Sequence, residues 1–502
     1  MSMYARISKV GLLTRSVPIP TAKQMRPYPR LRLLALASCV LSAALVLSGC
    51  ATKSALEPLS DDPKVPTHWI APLPDSKRIS DLKAWWKSQS EPELTILIDA
   101  ANAVSPNVSS ALARIEQAKA LQSKALSSLL PGLSGTASTA RSRASLYSGM
   151  YVQDQAGVQV SWALDLASLS GAETSAARAD LESAQALWHD ARTLVAAEVA
   201  DLYYASRTCQ RQSAFLAKDA ASHEQSVQMM QRSLNAGMAS EGDMAGARYN
   251  AAEAMSLWQR QQATCDVQIK GLVALTGQSE PVLRQLMQSV WERESVPTSF
   301  AVETVPAQAL AQRPDVYVAE RDVLQAQARV MQAQANRLPR LSLEGFIGWG
   351  SSVFGGNRNS NSTWNFGPLA LSLPIFDAGR RAAEQRAAEA DLTAAISAYH
   401  ARVRLAVREV EEALVQLDSA NKRLTQSSIA AEQARVRLQS SERLQQQGML
   451  SSFELEELRR QARTAQLNAL ALDLAGQRAW TTLYRAVGGG FKNSSAHSES
   501  RP

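Results

Sequence analysis

The sequence predicts a mainly helical protein with a small β part: one unit used twice and drawn out into very long antiparallel helical hairpins. Three observations predict it. The first is a duplication. "SPNVSSALARIEQAKALQSKALSSLLPGLS" (105–134) returns as "RPDVYVAERDVLQAQARVMQAQANRLPRLS" (313–342), with Pro106 matching Pro314, Ala118 matching Ala326 and Leu133 matching Leu341, all 208 apart. Further on, Ser161 matches Ser372, Gly237 matches Gly448 and Gly277 matches Gly488, now 211 apart, so repeat 2 carries three extra residues between Ser342 and Ser372. A period this long describes half of one structure, not a solenoid unit. The second is a pair of stretches, 172–236 and 380–447, without glycine or proline and rich in Ala, Leu, Glu, Gln and Arg. Such composition supports continuous helix, and 65 residues at the α-helical rise span about 98 Å. The third is a pair of segments in each copy where apolar and polar residues alternate, as in Val158-Gln159-Val160-Ser161-Trp162, the period of a strand.

The chain opens with a leader, residues 1–49. Arg26, Arg30 and Arg32 precede a short apolar run, and Leu47-Ser48-Gly49-Cys50 is a lipobox in which Cys50 takes the lipid. Met25, just before the basic residues, is an alternative start. With Ala51 after the cysteine, the outer membrane is the expected destination. Residues 50–90 read as an extended strap ending in "AWW", with Trp85 and Trp86 set to pack on another part of the protein.

Repeat 1 (91–280) begins with a helix over 92–129 that Pro106 interrupts, then strands over 133–144 and 155–166. The long helix 172–236 follows, a turn at Gly237, and a return helix ending at Thr276-Gly277. A linker, 281–303, leads to repeat 2 (304–490). There the expectation is a helix over 304–337, strands over 341–350 and 364–376, and a polar loop "SSVFGGNRNSNST" between them that holds the three extra residues. A second long helix, a turn at Gly448 and a return helix to "AVGGG" complete it, and residues 491–502 read as a disordered tail.

Two of the four cysteines belong to the leader and the lipid site, leaving Cys209 and Cys265 in an oxidising compartment. They lie 28 residues to either side of Gly237. In an antiparallel hairpin turning there they stand side by side, which predicts a disulfide clamping the two arms.

Catalysis finds no footing. His68, His189, His223, His400 and His497 are scattered without metal-ligand spacing. There is no phosphate-binding glycine loop or nucleophile elbow, so neither metal nor cofactor is expected. The net charge of +7 rests partly on the leader and identifies no nucleic-acid partner.

Taken in order and in duplicate, "LSGC", "AWW", "ARIEQAKA", "VSWALDL", "RPDVYVAERDVLQAQARV", "LSLPIFDAGRR", the two "GM-x-S" turns, "LVALTG" and "AVGGGF" resemble the outer-membrane factors. The likeness is to the TolC/OprM type and especially its lipoprotein NodT-like branch, and it covers nearly all of the chain after the leader. The resemblance implies a homotrimer in which four strands per chain complete a 12-stranded transmembrane β-barrel above a periplasmic tunnel of helices. It implies a conduit that works with a periplasmic adaptor and an inner-membrane pump to export drugs or other toxic compounds. It also implies that the adaptor meets the hairpin tips, here Gly237, Met238 and Ser240 with Gly448, Met449 and Ser451, although Gly-x-x-Ser is also simply a good turn. A gate near the tip, acidic in the family, falls in "SSERLQQQG", where Glu442 is the one carboxylate. "DLASLSG" departs from the family, which usually places a large apolar residue and a glycine after the aspartate. The rival reading is a periplasmic coiled-coil structural or adaptor lipoprotein without a pore; the strand pair in each repeat discriminates, since a membrane barrel needs it and a scaffold does not.

Overall fold

The computed structural model describes residues 65–74, 82, 85–89, 91–143, 150–164, 169–291, 293, 299–302, 306–354 and 357–492. All of them lie in the unit Asp61–Pro502. The leader and Cys50 fall outside the described residues.

After the single turn α1 (Trp85–Ser88), repeat 1 comprises α2 (Pro92–Val104), α3 (Pro106–Ser127), β1 (Gly132–Arg143), β2 (Met150–Leu164), α4 (Leu169–Asn235) and α5 (Glu241–Thr276). The break between α2 and α3 has a local cause. Pro106 holds Ser105 in extended geometry (φ −64°, ψ 123°), and the Ser105 hydroxyl then accepts from the Val108 amide as the cap of α3. The segment expected as a linker opens with α6 (Glu280–Gln288), whose Leu283 and Met287 are buried. In repeat 2 the helix expected over 304–337 is two, α7 (Pro306–Leu310) and α8 (Pro314–Ala335), because Pro314 keeps Arg313 extended. Then come β3 (Arg340–Phe354), β4 (Asn357–Ser372), α9 (Arg380–Gln446) and α10 (Ser452–Ala486). Helices α4 and α9 each have 67 residues, about 100 Å.

The four strands form one antiparallel sheet in the order β1-β2-β3-β4. Here the structure corrects the polar loop expected at 351–363. Residues 351–354 and 357–363 of it continue the two strands, with Ser351 opposite Ser360 and Val353 opposite Arg358. Their Ser and Asn side chains read as loop, but the ladder of backbone hydrogen bonds holds them as strand whatever their side chains prefer. An extra residue does enter β4 at a bulge, where Leu343–Gly345 faces Leu369–Phe366; Pro368, which has no amide to donate, sits there.

The largest apolar cluster lies where both repeats meet. Trp85 stacks on Tyr484 (4.9 Å) and meets Phe300 edge-on (5.2 Å), with Leu94, Leu272, Leu283, Leu414 and Leu483 around them. The "AWW" pair thus ties the end of the strap to α10, as its position ahead of the first helix suggested. Residues 65–74 lie against α9, where the Ile70 and Ala71 amides donate to the two Glu411 carboxylate oxygens (2.7 and 2.8 Å). Phe491, expected in the tail, is buried beside Tyr317 and His189.

Candidate functional site

Pairing register divides the sheet into two unlike faces. One row runs Val158–Ile347–Trp364 across β2, β3 and β4, the next but one Val160–Gly345–Phe366, and below them Trp162–Leu343–Leu369 and Leu164–Leu341–Leu371. The rows between carry Gln159, Phe346 and Asn365, then Gly157, Gly348 and Thr363. Phe346 is the apolar exception on that face; its ring occupies the space that a Cβ on Gly157 or Gly348 would need. The apolar side chains are exposed: Ile347, Trp364, Phe366, Leu369 and Leu371 among them. A contiguous apolar sheet face open to its surroundings belongs against a non-aqueous phase or a partner. Among the described residues the outer strands β1 and β4 each present one edge without a partner strand. Among the described residues no helix is long and apolar enough to cross a membrane.

At the far ends of the hairpins the two turns are built alike. Helix α4 closes with Gly237 at φ 70°, its amide donating to Leu234 O and the Met238 amide to Ser233 O. At the end of α9, Gly448 (φ 77°) donates to Gln445 O and Met449 to Leu444 O. This double bond with a left-handed residue is the Schellman arrangement, and glycine suits it because a Cβ is strained at positive φ. Ser240 and Ser451 then cap the return helices, each exchanging bonds with the third residue on, Asp243 and Glu454. Hydrogen bonds from Ser240 and Ser451 hold those two carboxyl groups below their ordinary range. Met238 and Met449 are left 78% and 63% exposed, so each tip shows a flexible thioether beside a capped helix start. Glu442, six residues before Gly448, accepts from Arg459 across the hairpin (3.3 Å), and Arg459 also reaches Glu456 (2.5 Å).

Midway along the first hairpin Cys209 and Cys265 are joined, with Cα atoms 5.5 Å apart. The two repeats meet along a seam of charged contacts on α4: Arg321 to Glu182 (2.9 Å), Arg478 to Asp201 (2.5 Å), Arg463 to Asp219 (3.2 Å) and Ser222 to Glu456.

Sequence reasoning quoted "RPD" but missed what it does. Arg313 donates to Ala486 O (2.5 Å), to Asp315 (2.6 and 3.0 Å) and to Glu409, and Arg402 also binds Asp315. Burial alone would raise Asp315, yet bonds and charge from Arg313, with the charge of Arg402, hold its carboxyl below the ordinary range. These residues line a cleft of about 330 Å³ with Asp190, Thr193 and Arg485. A Cβ on Gly488 would stand 2.2 Å from Gln312 O, so the glycines of "AVGGG" admit this close approach. The signal was available in the proline that forces Arg313 out of the helix. Among the described residues no cluster of His, Cys, Asp and Glu could hold a metal ion.

Residues 97–278 and 305–489 match the family model described as "Outer membrane efflux protein", one stretch per repeat. The pyoverdine export outer membrane protein OpmQ of Pseudomonas putida is 26% identical over 91% of this chain and 98% of its own length. Outer membrane protein OprJ of Pseudomonas aeruginosa is 29% identical over 81% of this chain and 86% of its own. In fold, the chain is similar to the CmeC outer membrane channel of Campylobacter jejuni, with a TM-score of 0.72 at 21% identity, covering 88% of this chain and 97% of that one.

Proposed function

The chain belongs to the outer membrane efflux protein family, and from that premise we propose that three copies close one twelve-stranded barrel in the outer membrane. Their helical hairpins form the tunnel below it, a passive export conduit for drugs or other toxic compounds. The observation that carries this reading is the exposed apolar sheet face between two open strand edges. An open edge in lipid leaves backbone groups unsatisfied, so the strands must close on other copies. From Leu341 to Trp349 the apolar rows extend about 26 Å along the strand, close to the apolar band of an outer-membrane barrel.

Lipid on Cys50, after loss of residues 1–49, anchors the strap at the same membrane. A periplasmic adaptor, itself joined to an inner-membrane pump, engages the tips through Gly237, Met238 and Ser240 and through Gly448, Met449 and Ser451. Glu442 is the carboxylate assigned to the closure near the tip; Glu442→Gln keeps an acceptor oxygen but removes the charge that holds Arg459, and the resting conductance rises. Purified protein in planar lipid bilayers tests the whole reading. Discrete, stable conductance steps are expected; a protein that inserts no pore under any condition is the scaffold instead.

A further inference from the structure

The apolar face of the sheet changes character at its turn end, away from the helices. Beyond the row through Trp349, the row Thr139–Asp154–Ser351–Ser360 is polar, and the next is Arg141–Val152–Val353–Arg358. Arg143, two residues past Arg141 on the same strand, shares that face. All three arginines are exposed. Arg358 lies 3.9 Å from Asp154, which also accepts from Thr139 (2.8 Å). Arg141 and Arg143 have no ion-pair or hydrogen-bond partner among the described residues. Three arginines therefore stand against one aspartate here, and three copies bring nine against three.

The same strand ends are neutral on the other face, where the intervening row is Ala140–Gln153–Ser352–Asn359 and the next one out Ser142–Tyr151–Phe354–Asn357. At the helix end of the apolar face, the row Leu164–Leu341–Leu371 carries no charge either. Basic side chains thus sit on one face and at one end. Mere hydration does not favour that face, because a charge on the lipid side of a barrel is destabilising near the midplane and tolerated only at the interface. From Trp349 to Val353 is four residues, about 14 Å along a strand and about 10 Å along the membrane normal at barrel tilt. Arginine stems lean back over apolar surface, which brings the guanidinium groups to a headgroup layer about 5–8 Å deep.

We propose that Arg141, Arg143 and Arg358 form a collar around the barrel that binds the phosphate groups of anionic lipids in the leaflet away from the helical hairpins. Guanidinium forks pair bidentately with phosphate oxygens. Arg141 and Arg143 start about 7 Å apart on one face, a gap that two long side chains close around one phosphate. The ligand is a lipid and not free phosphate because the arginines stand directly beyond the exposed apolar rows, which take the acyl chains of the same molecule. This rests on the three-copy reading above, which turns the apolar face to lipid.

Full-length lipidated protein in phosphatidylcholine nanodiscs doped with diphosphoryl lipid A tests it. Native mass spectrometry counts the lipid A retained, and planar bilayers report the pore. The wild type is compared with Arg141→Gln/Arg143→Gln/Arg358→Gln and with Arg340→Gln, which removes a basic side chain from the opposite face at the helix end of the sheet. All three proteins should conduct alike. Wild type and Arg340→Gln should retain lipid A at least about tenfold better than the triple variant, lipid A stripped of its phosphates should be held weakly by all, and added inorganic phosphate should not displace the intact lipid. If the wild type forms no pore, the three-copy reading falls and the collar with it. If the pores form and the triple variant retains lipid A as well as the wild type, the collar is wrong while the barrel stands. Equal loss from Arg340→Gln, equal retention of the stripped lipid, or displacement by inorganic phosphate likewise overturns it. Should the triple variant alone fail to insert, Arg143→Gln on the edge strand carries the test: about a fivefold loss is expected, and unchanged retention contradicts the proposal.

Discussion

The two repeats share a backbone plan but are held by different fasteners. Repeat 1 is stapled midway up its hairpin by Cys209–Cys265, where repeat 2 has the buried pair Ala420 and Gly476. At the base the roles reverse. Repeat 1 starts α3 with a capping hydroxyl, Ser105, whereas repeat 2 has Arg313 there, bound to Asp315, Glu409 and Ala486 O. A common fold therefore does not require common chemistry: backbone length, turns and apolar spacing set the architecture, and each copy was secured afterwards at its own height.

Removing the staple should have the largest effect. Cys209→Ala with Cys265→Ala releases a loop with a sequence separation of 56, costing up to about 4 kcal/mol in the chain-entropy account; denaturant unfolding with and without reductant measures it, and reductant should leave the double variant unchanged. Next comes the base. Arg313→Ala leaves Glu409 without the guanidinium and the mostly buried Asp315 with Arg402 alone, and should cost about 3 kcal/mol, while Ser105→Ala loses a cap worth about 1 kcal/mol. If both cost the same, the two bases do not differ as described.

The glycines ending the return helices sharpen the contrast further. At Gly277 (φ 67°) a Cβ would meet only the Val104 side chain at 3.5 Å, but at Gly488 (φ 88°) it would strike backbone at 2.2 Å. Gly277→Ala should cost about 1 kcal/mol for the left-handed conformation, and Gly488→Ala clearly more, read as unequal shifts of the thermal midpoint.

The smallest expected effect is a pH dependence of the seam between repeats. Burial, then the charge of Arg460, holds His223 below its ordinary value, with Arg463 adding to this and Asp219 and Glu457 opposing it. The folded state thus resists protonation of His223, and its contribution to stability is complete above the unfolded value of about 6.5 and is lost as pH falls below that toward the folded value. His223→Asn should flatten the fall in thermal midpoint over that window and leave the midpoint at higher pH nearly unchanged.

Much of this was legible in the sequence because it rests on periodicity. Duplicate offsets, the absence of glycine and proline, and the mirror placement of two cysteines about Gly237 are one-dimensional signals with direct geometric meaning. Other features depend on partners far along the chain. The strand residues at 351–354 and 357–363 are mostly polar and are recognisable only once each faces the other across the ladder. Arg313 looks like any helix-end charge until α9 and α10 bring Glu409 and Ala486 to it. Phe491 reads as tail until it is found beside Tyr317.

The mass of the complex extracted intact from the outer membrane tests the central claim most directly. Native mass spectrometry should give three chains, each beginning at Cys50 and carrying its lipid. A single chain, recovered from the aqueous periplasm without lipid, would contradict the account.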